Sequence, residues 1–138
     1  MPLLFQNQDL LSLMQQFHTL TGMRIVLFDE AYREIFAYPR ECVPFCAHMR
    51  KTPAFYQKCC VSDKNSFEIC QKTRSFTMYK CHAGLIECTA PILQKNTIIG
   101  YIMFGQISDR TDKAEFLSAL SSRYPGEEQK IRKIKFRC

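Results

Sequence analysis

The sequence contains no apolar run that approaches the ~20 residues needed by a membrane-spanning helix. Residues 1–7 carry no basic segment ahead of their short apolar patch, which argues against a secretory signal peptide. The five glycines form neither a G-x-G-x-x-G pattern nor a P-loop, so a phosphate-binding loop is not indicated. Glu41, Glu68 and Glu87 are scattered and suggest no carboxylate pair for acid–base catalysis. We therefore expect a cytoplasmic protein that neither spans a membrane nor performs phosphate chemistry.

The basic residues are concentrated at the end of the chain. The 138 residues suit one domain, and 46% hydrophobic content is enough for a core. The net charge is +6, and five of these positive charges lie in the last nine residues. Basic tails can bind nucleic acid or membranes, but a solvated linker is the simpler interpretation. We predict a domain over residues 1–124 and, over 125–138, the start of a linker to an output domain, with no direct nucleic-acid contact.

Eight cysteines are present, yet no C-x-x-C pair occurs. Without an export signal, disulfides are not expected, which leaves metal binding, redox sensing, reactive pocket thiols and buried thiols as alternatives. Cys46, Cys60 and Cys81 could converge on a metal, with Cys42 or His82 as the fourth ligand. Mixed Cys/His ligation would suit zinc, and four cysteines would suit an iron–sulfur cluster.

Hydrophobic periodicity predicts an α+β domain. Antiparallel strands flank a helical insert, which is the arrangement of PAS-like sensor domains: a five-stranded antiparallel sheet with helices, in which the insert encloses a small pocket. The predicted elements are a helix over 7–21 ended by Gly22, strands over 23–28 and 33–38, an insert with helices over 45–50, 53–60 and about 62–73, strands over 75–81, 86–93 and 97–105, and a helix from Asp112.

Four of these elements carry further expectations. Ser62 or Asp63 is predicted to cap the last insert helix. Pro91 indicates an edge or a bulge in its strand, and the apolar 97–105 run indicates a central strand covered on both faces. The exposed face of the first helix could pair two copies into a homodimer.

The Cys-His-Ala-Gly-Leu string at 81–85 joins two predicted strands through a tight turn at Gly84. Adjacent strand residues point to opposite faces, so Cys81 and His82 are poorly placed to form a catalytic dyad, and we expect no enzyme. A pocket between sheet and insert would instead bind a small organic molecule. A buried Glu87 there would need a partner or a raised pKa. The candidate ligand-binding residues are Phe45, Cys46, Tyr79, Cys81, His82, Glu87 and Tyr101.

Several strings together resemble the PocR-type sensory domain. They are Phe45-Cys46 with Arg50, residues 58–63 with Cys60 and Asp63 spaced as Cys-x-x-Asp, 79–85, 90–92, and 100–106. The resemblance covers about residues 10–109. It implies a PAS-like ligand-binding domain at the N-terminus of an AraC-type transcription regulator or in a sensor kinase, sensing a small metabolite such as a diol. By position, Cys46, Cys60, Cys81 and His82 match recurring residues of that family. The main alternative is a thiolate-based metal or redox sensor.

Overall fold

The computed structural model of the chain describes residues 7–107, 113–126 and 128. Its helices and strands alternate in groups, as an α+β domain requires. In chain order they are α1 Asn7–Thr21, β1 Arg24–Asp29, β2 Glu34–Tyr38, α2 Pro44–Met49, α3 Pro53–Thr73, β3 Thr77–Lys80, β4 Ile86–Gln94, β5 Thr97–Ile107 and α4 Lys113–Arg123.

The five strands form one antiparallel sheet in the order β2-β1-β5-β4-β3. The predicted PAS-like, five-stranded α+β fold is confirmed, and the apolar 97–105 run lies in the central strand. Side chains alternate across β5, so the two faces meet different helices. Phe104 packs on Phe17 of α1, with ring centroids 5.1 Å apart, whereas Tyr101 packs on Phe67 of α3 at 4.7 Å. The sheet is therefore covered on one face by α1 and on the other by the insert.

Helix α1 has the bounds that its periodicity predicts. Gly22 follows it with φ +72°, and its N–H donates to the His18 carbonyl at 2.7 Å, which is the expected left-handed cap. Its buried side includes Met14, while Leu13 and Leu20 are 62% and 86% exposed. The apolar face of α1 is therefore wider than the part that packs on the sheet.

Helix α3 corrects the prediction of two helices at 53–60 and 62–73. It is one helix of 21 residues that begins at Pro53, and Ser62 and Asp63 lie in its middle rather than at a cap. One side stays buried along the helix, because Cys59, Phe67 and Cys70 follow helical spacing with Asp63 between them. Nothing in the sequence from 60 to 63 breaks that pattern. The helix ends where Arg74 adopts a left-handed conformation with φ +57°.

A bulge in β5 shapes the sheet next to the insert. Pairing shifts between Ile86 and Glu87, opposite Gly105 with φ +138° and Gln106 with φ +60°. A Cβ at Gly105 would lie 2.5 Å from the Ile86 carbonyl oxygen, so only glycine fits there. The bulge turns Gln106 toward the insert, where its side-chain oxygen accepts a hydrogen bond from Val43 N–H at 3.3 Å.

Strand β4 lies between β5 and β3, but Pro91 still has the edge character that its residue type predicts. The pairing of β3 with β4 ends at Thr89, so Pro91 lies beyond it and pairs with Tyr101 of β5 only. A second irregularity in β4 follows at Ile92 and Leu93. A residue without an N–H donor is tolerated there because no ladder bond to β3 is lost.

The buried side chains between sheet and insert form two clusters. The first joins α2, the start of α3, the 81–85 turn and α4; its members are Phe45, Cys46, Met49, Phe55, Cys59, Ala83, Leu85 and Leu120. The second joins the sheet to the end of α3; its members are Val26, Phe28, Phe67, Cys70, Tyr101 and Met103.

None of the helices in the described part of the chain combines the length and the apolar character needed to cross a bilayer. The predicted start of α4 at Asp112 lies outside the described residues. The same holds for the predicted basic linker, of which only residues 125, 126 and 128 are described.

Candidate functional site

A cavity of about 330 Å3 lies between the insert and the sheet. We call it the main cavity. It touches both buried clusters and falls within the range of about 300–1,000 Å3 usual for small-molecule sites. Its lining mixes aromatic, aliphatic and charged side chains: Arg24, Val26, Phe28, Tyr32, Arg33, Glu34, Arg50, Tyr56, Cys59, Cys60, Asp63, Lys64, Phe67, Glu87, Met103, Phe104, Gly105 and Gln106.

Arg24 is the most buried cation of this lining. It projects from β1, and its guanidinium donates to the carbonyls of Pro39, Arg40 and Glu41 at 2.9 to 3.1 Å. Glu34 of β2 adds an ion pair at 3.4 Å. Burial of a charge is tolerated when hydrogen bonds replace its hydration. Arg24 therefore anchors the 39–41 loop that leads into the insert.

Arg50 lies at the end of α2 and is held differently. Its Nη1 donates to Cys42 Sγ at 3.1 Å, and its guanidinium lies 5.7 Å from the ring centre of Tyr56. Its Nε is buried and has no hydrogen-bond partner among the described residues. No carboxylate of the described residues forms an ion pair with it. A hydrogen bond to the Cys59 thiol adds to these contacts, so thiols and an aromatic ring position this cation without neutralising it.

Besides Glu34, two acidic side chains line the same space. Burial and, to a smaller extent, the neighbouring Glu87 raise the pKa of Asp63 on α3 to about 7, while Arg50 acts in the opposite direction. Burial also raises the pKa of Glu87 on β4, which accepts a hydrogen bond from the Tyr79 hydroxyl at 2.9 Å. The expectation that a buried Glu87 has a partner or a raised pKa is confirmed on both counts. The carboxyl group of Asp63 can therefore hold a proton near neutral pH.

A second space, which we call the side cavity, adjoins the main one. Its volume is about 10 Å3, roughly that of one water probe. It shares Arg50, Cys59, Asp63 and Glu87 with the main cavity, and its other lining residues are Cys46, Phe55, Cys81, His82 and Ala83. The predicted residues Cys46, Cys81, His82 and Glu87 are thus brought together, and of these Glu87 also lines the main cavity.

The remaining predicted ligand-binding residues lie in packed surroundings beside the cavities. Phe45 packs edge-on against Phe55, with ring centroids 6.2 Å apart, and Tyr101 packs on Phe67. Tyr79 reaches the site through its hydrogen bond to Glu87. These three side chains support the walls of the cavities, and direct ligand contact stays a prediction for all seven candidates.

The Cys81–Leu85 turn has the predicted form. Cys81 N–H donates to the Leu85 carbonyl and Gly84 N–H to the Cys81 carbonyl, both at 2.8 Å, and Gly84 has φ +88°. Strand β3 ends at Lys80, so Cys81 and His82 belong to the turn rather than to the strand. Their side chains reach the same side cavity because they are freed from strand alternation.

The cysteine that pairs with His82 is Cys59, which the sequence did not indicate. Cys59 Sγ lies 3.2 Å from His82 Nε2, and His82 Nδ1 lies 3.0 Å from the Tyr124 hydroxyl. Burial raises the pKa of Cys59 to about 11 and lowers that of His82 to about 4. At neutral pH the pair is a thiol with a neutral imidazole, and it lacks the thiolate of a cysteine nucleophile.

The predicted thiolate metal site is not assembled in the described part of the chain. No three His, Cys, Asp or Glu side chains there are arranged to hold a metal ion. Cys46 is buried and Cys81 half-buried, but Cys60 is exposed on α3. Consecutive helix residues point about 100° apart, so with Cys59 turned inward Cys60 turns away from Cys46 and Cys81. All seven described cysteines are free thiols.

The main functional candidates that sequence reasoning missed are Arg50 and Asp63. Both lie in the strings that resemble the sensory domain, so a signal was present, although Asp63 was interpreted as a helix cap. The spacing of Cys59, Asp63 and Phe67 by four residues is a second signal, since it places all three on one helix face. Arg24 had no such signal, because its carbonyl partners are defined by the tertiary fold.

Comparison with known proteins shows the family of the chain. The family model described as a sensory domain found in PocR matches residues 4–135. "Regulatory protein PocR" of Salmonella typhimurium is 28% identical over 105 residues, which cover 73% of this chain and 33% of that protein. The chain thus spans about a third of the length of this curated relative. No solved structure matches. The chain belongs to the family of sensory domains found in PocR.

Proposed function

We propose that this chain is the ligand-sensing domain of a cytoplasmic transcription regulator. It binds a small organic molecule in the main cavity and passes the binding event to an attached DNA-binding domain through the 125–138 segment. These 138 residues make no contact with nucleic acid themselves. The observation that carries the proposal is a 330 Å3 cavity whose lining includes Arg50, Asp63 and Glu87 without ion pairs among them. Such a mixture of apolar walls and a few polar groups suits a specific small-molecule site.

A binding role is favoured over catalysis by the protonation of the site. The Cys59 thiol and the His82 imidazole are both neutral at pH 7, as their shifted pKa values imply. A cysteine enzyme would need a lowered thiol pKa. We therefore propose that the domain is not an enzyme.

His82 offers a route from the cavity to the output side of the chain. One ring nitrogen contacts Cys59 in the cavity wall, and the other contacts Tyr124, directly after α4. Arg123 also donates to the His82 carbonyl, and the Lys58 ammonium lies 5.9 Å from the centre of the Tyr124 ring. A ligand that shifts α3 would alter the contacts of His82 and hence the position at which the chain leaves α4. Signalling requires that the ligand bind the two resulting states with different affinity.

Differential scanning fluorimetry with pools of small polar metabolites tests ligand binding. A ligand at 100 times its Kd adds about 2.7 kcal/mol to the free energy of unfolding. For a domain of this size that corresponds to a Tm increase of about 10 °C. Val26→Phe fills part of the cavity and is expected to abolish the increase, while Ile35→Phe, at a half-exposed position of β2, retains it. The proposal is rejected if no pool raises the Tm of the wild-type domain.

Hydrogen exchange tests the proposed route. Ligand binding is expected to change amide protection in residues 113–126, and Tyr124→Phe should suppress that change while ligand affinity stays the same. If ligand binding changes the amide protection of α4 equally in wild type and in Tyr124→Phe, His82 is not part of the route.

A homodimer through the exposed leucines of α1 is part of the proposal, and sedimentation of Leu20→Glu against wild type measures it.

A further inference from the structure

Among the cations that line the main cavity, Arg50 differs in having no acidic partner within the described part of the chain. Arg24 pairs with Glu34, Arg33 with Asp29 at 2.9 Å, and Lys64 with Glu68 at 3.9 Å. Arg50 contacts the thiols of Cys42 and Cys59 and the ring of Tyr56, and its buried Nε has no partner among these residues. A half-buried guanidinium without a carboxylate partner favours an anion, because unpaired charge away from water is costly.

The carboxyl groups of Asp63 and Glu87 do not neutralise Arg50. They line the same cavity, yet neither forms an ion pair with it. Burial raises the pKa of both groups, that of Asp63 to about 7, so the negative charge of Asp63 is incomplete near neutral pH. A protonated or partly protonated carboxyl group can both donate to and accept from a hydroxyl group. The three side chains together thus match one anionic group beside one hydroxyl.

The cavity also has a polar and an apolar end. Cys59, Asp63 and Phe67 are successive i, i+4 positions along α3, so each lies about one helical turn beyond the last. Arg50 and Glu87 belong to the Cys59 and Asp63 end, which the side cavity shares. At the other end, Phe67 packs on Phe28 with ring centroids 4.9 Å apart. Val26 and Met103 extend that apolar wall.

We propose that the ligand is a small 2-hydroxycarboxylate with an apolar side group. Its carboxylate pairs with the guanidinium of Arg50, its hydroxyl hydrogen-bonds to Asp63 and Glu87, and its apolar group lies against Phe28 and Phe67. This inference rests on the proposed ligand-sensing function and specifies the chemistry of the same cavity. Guanidinium groups bind carboxylates through two parallel hydrogen bonds, and Arg50 lines the cavity in which the carboxylate would lie.

Three probes with one carbon skeleton separate this class from its neighbours: phenyllactate, phenylalanine and 3-phenylpropane-1,2-diol. They carry a carboxylate with a hydroxyl, a carboxylate with an ammonium, and two hydroxyls. Isothermal titration of the 138-residue protein is expected to rank phenyllactate first, at least about 30-fold tighter than the diol, since losing a buried charged hydrogen-bond partner has an effect of that order. Tighter binding of phenylalanine or of the diol would overturn the hydroxycarboxylate assignment and leave the ligand-sensing function in place.

Substitutions then test the assigned contact. Arg50→Gln should weaken phenyllactate binding by about 30-fold or more, and Arg50→Lys, which keeps the charge but loses the paired donors, should weaken it less. Arg33→Gln is the matched control, because Arg33 lines the same cavity but is 79% exposed and already paired with Asp29. Circular dichroism verifies that each variant is folded.

Equal affinity of wild type and Arg50→Gln for phenyllactate would contradict the pairing. If none of the three probes binds wild type, while a neutral metabolite from the pools raises its Tm, only the hydroxycarboxylate inference is rejected. If neither the probes nor the pools have any effect, the ligand-sensing function is rejected with it.

Discussion

Asp63→Asn should remove a pH-dependent cost from the fold. The pKa of Asp63 rises from an ordinary 3.8 to about 7 in the folded protein, mainly through burial. Because the folded pKa exceeds the unfolded one, the folded state binds the extra proton between these values. The free energy of unfolding therefore falls as pH rises from about 4 to about 7, and the cost is complete above pH 7. At 1.36 kcal/mol for each pH unit between the two values, its upper limit is about 4 kcal/mol.

Asparagine does not titrate, so Asp63→Asn should become increasingly more stable than wild type as the pH rises from 5 to 8. Comparison at each pH cancels the opposite trend from His82, whose lowered pKa of about 4 costs stability as pH falls below its ordinary 6.5. Urea denaturation followed by circular dichroism at pH 5, 6, 7 and 8 measures the difference. Glu68→Gln, at a half-exposed position of the same helix, serves as the matched control and should stay within ~0.5 kcal/mol throughout.

A difference between Asp63→Asn and wild type that stays constant over this pH range would refute the reasoning. It would mean that Asp63 is as well solvated in the folded protein as in the unfolded chain. The groups that act on Asp63 come from four other parts of the fold: Glu87, Arg50, Glu34 and Arg24. A pH dependence smaller than expected would mean that one of these four groups acts on the pKa of Asp63 differently from the description above. Repeating the measurement with Glu87→Gln would test the charged group with the largest effect.

Three further predictions concern the fold around the cavity. Gly105→Ala should destabilise the domain by at least about 2 kcal/mol in urea titrations, since its Cβ would lie 2.5 Å from the Ile86 carbonyl oxygen at a strained φ. Phe67→Ala should lower the free energy of unfolding by about 3–5 kcal/mol, because it removes a ring that is 1% exposed. Iodoacetamide followed by mass mapping should label exposed Cys60 well before Cys70, which is fully buried.

Matched controls separate these effects from general damage. Gly22→Ala meets a positive φ but open space, so it should cost only about 1–2 kcal/mol. Phe76→Ala removes an aromatic ring that is 63% exposed and should have little effect. If Gly105→Ala costs no more than Gly22→Ala, the bulge is not tightly packed against Ile86. Equal labelling of Cys60 and Cys70 would contradict the described packing of α3.

Residue patterns predicted the sheet well because each strand is encoded locally. The apolar 97–105 run is typical of a strand buried on both faces, and such a strand must lie inside the sheet. The break in α3 was predicted wrongly because Ser62 and Asp63 have a strong preference for caps. That preference was overridden by tertiary packing, since Cys59, Phe67 and Cys70 bury one continuous helix face.

The site was harder to predict, because its residues meet only in the folded chain. Cys59 and His82 are 23 positions apart, and their contact requires the start of α3 to lie over the 81–85 turn. Alternation along a strand was assumed for Cys81 and His82, but β3 ends one residue earlier and the turn breaks that rule. A string such as Cys-His-Ala-Gly-Leu therefore identifies a region reliably while leaving the contacts of each side chain undetermined.

Under the proposed function, the buried carboxyl groups of the main cavity give a ligand groups to stabilise. Burial raises the pKa of Asp63 and Glu87, so each lowers the stability of the domain by itself when it is ionised. A fully apolar cavity of equal size would contain no buried polar groups whose lost hydration a polar ligand could replace. A ligand that satisfies these groups stabilises the arrangement that it binds by more than its contact area alone would provide. Under the proposed function, the free energy gained at Asp63 and Glu87 is available to shift α3 relative to His82 and Tyr124 when the ligand binds.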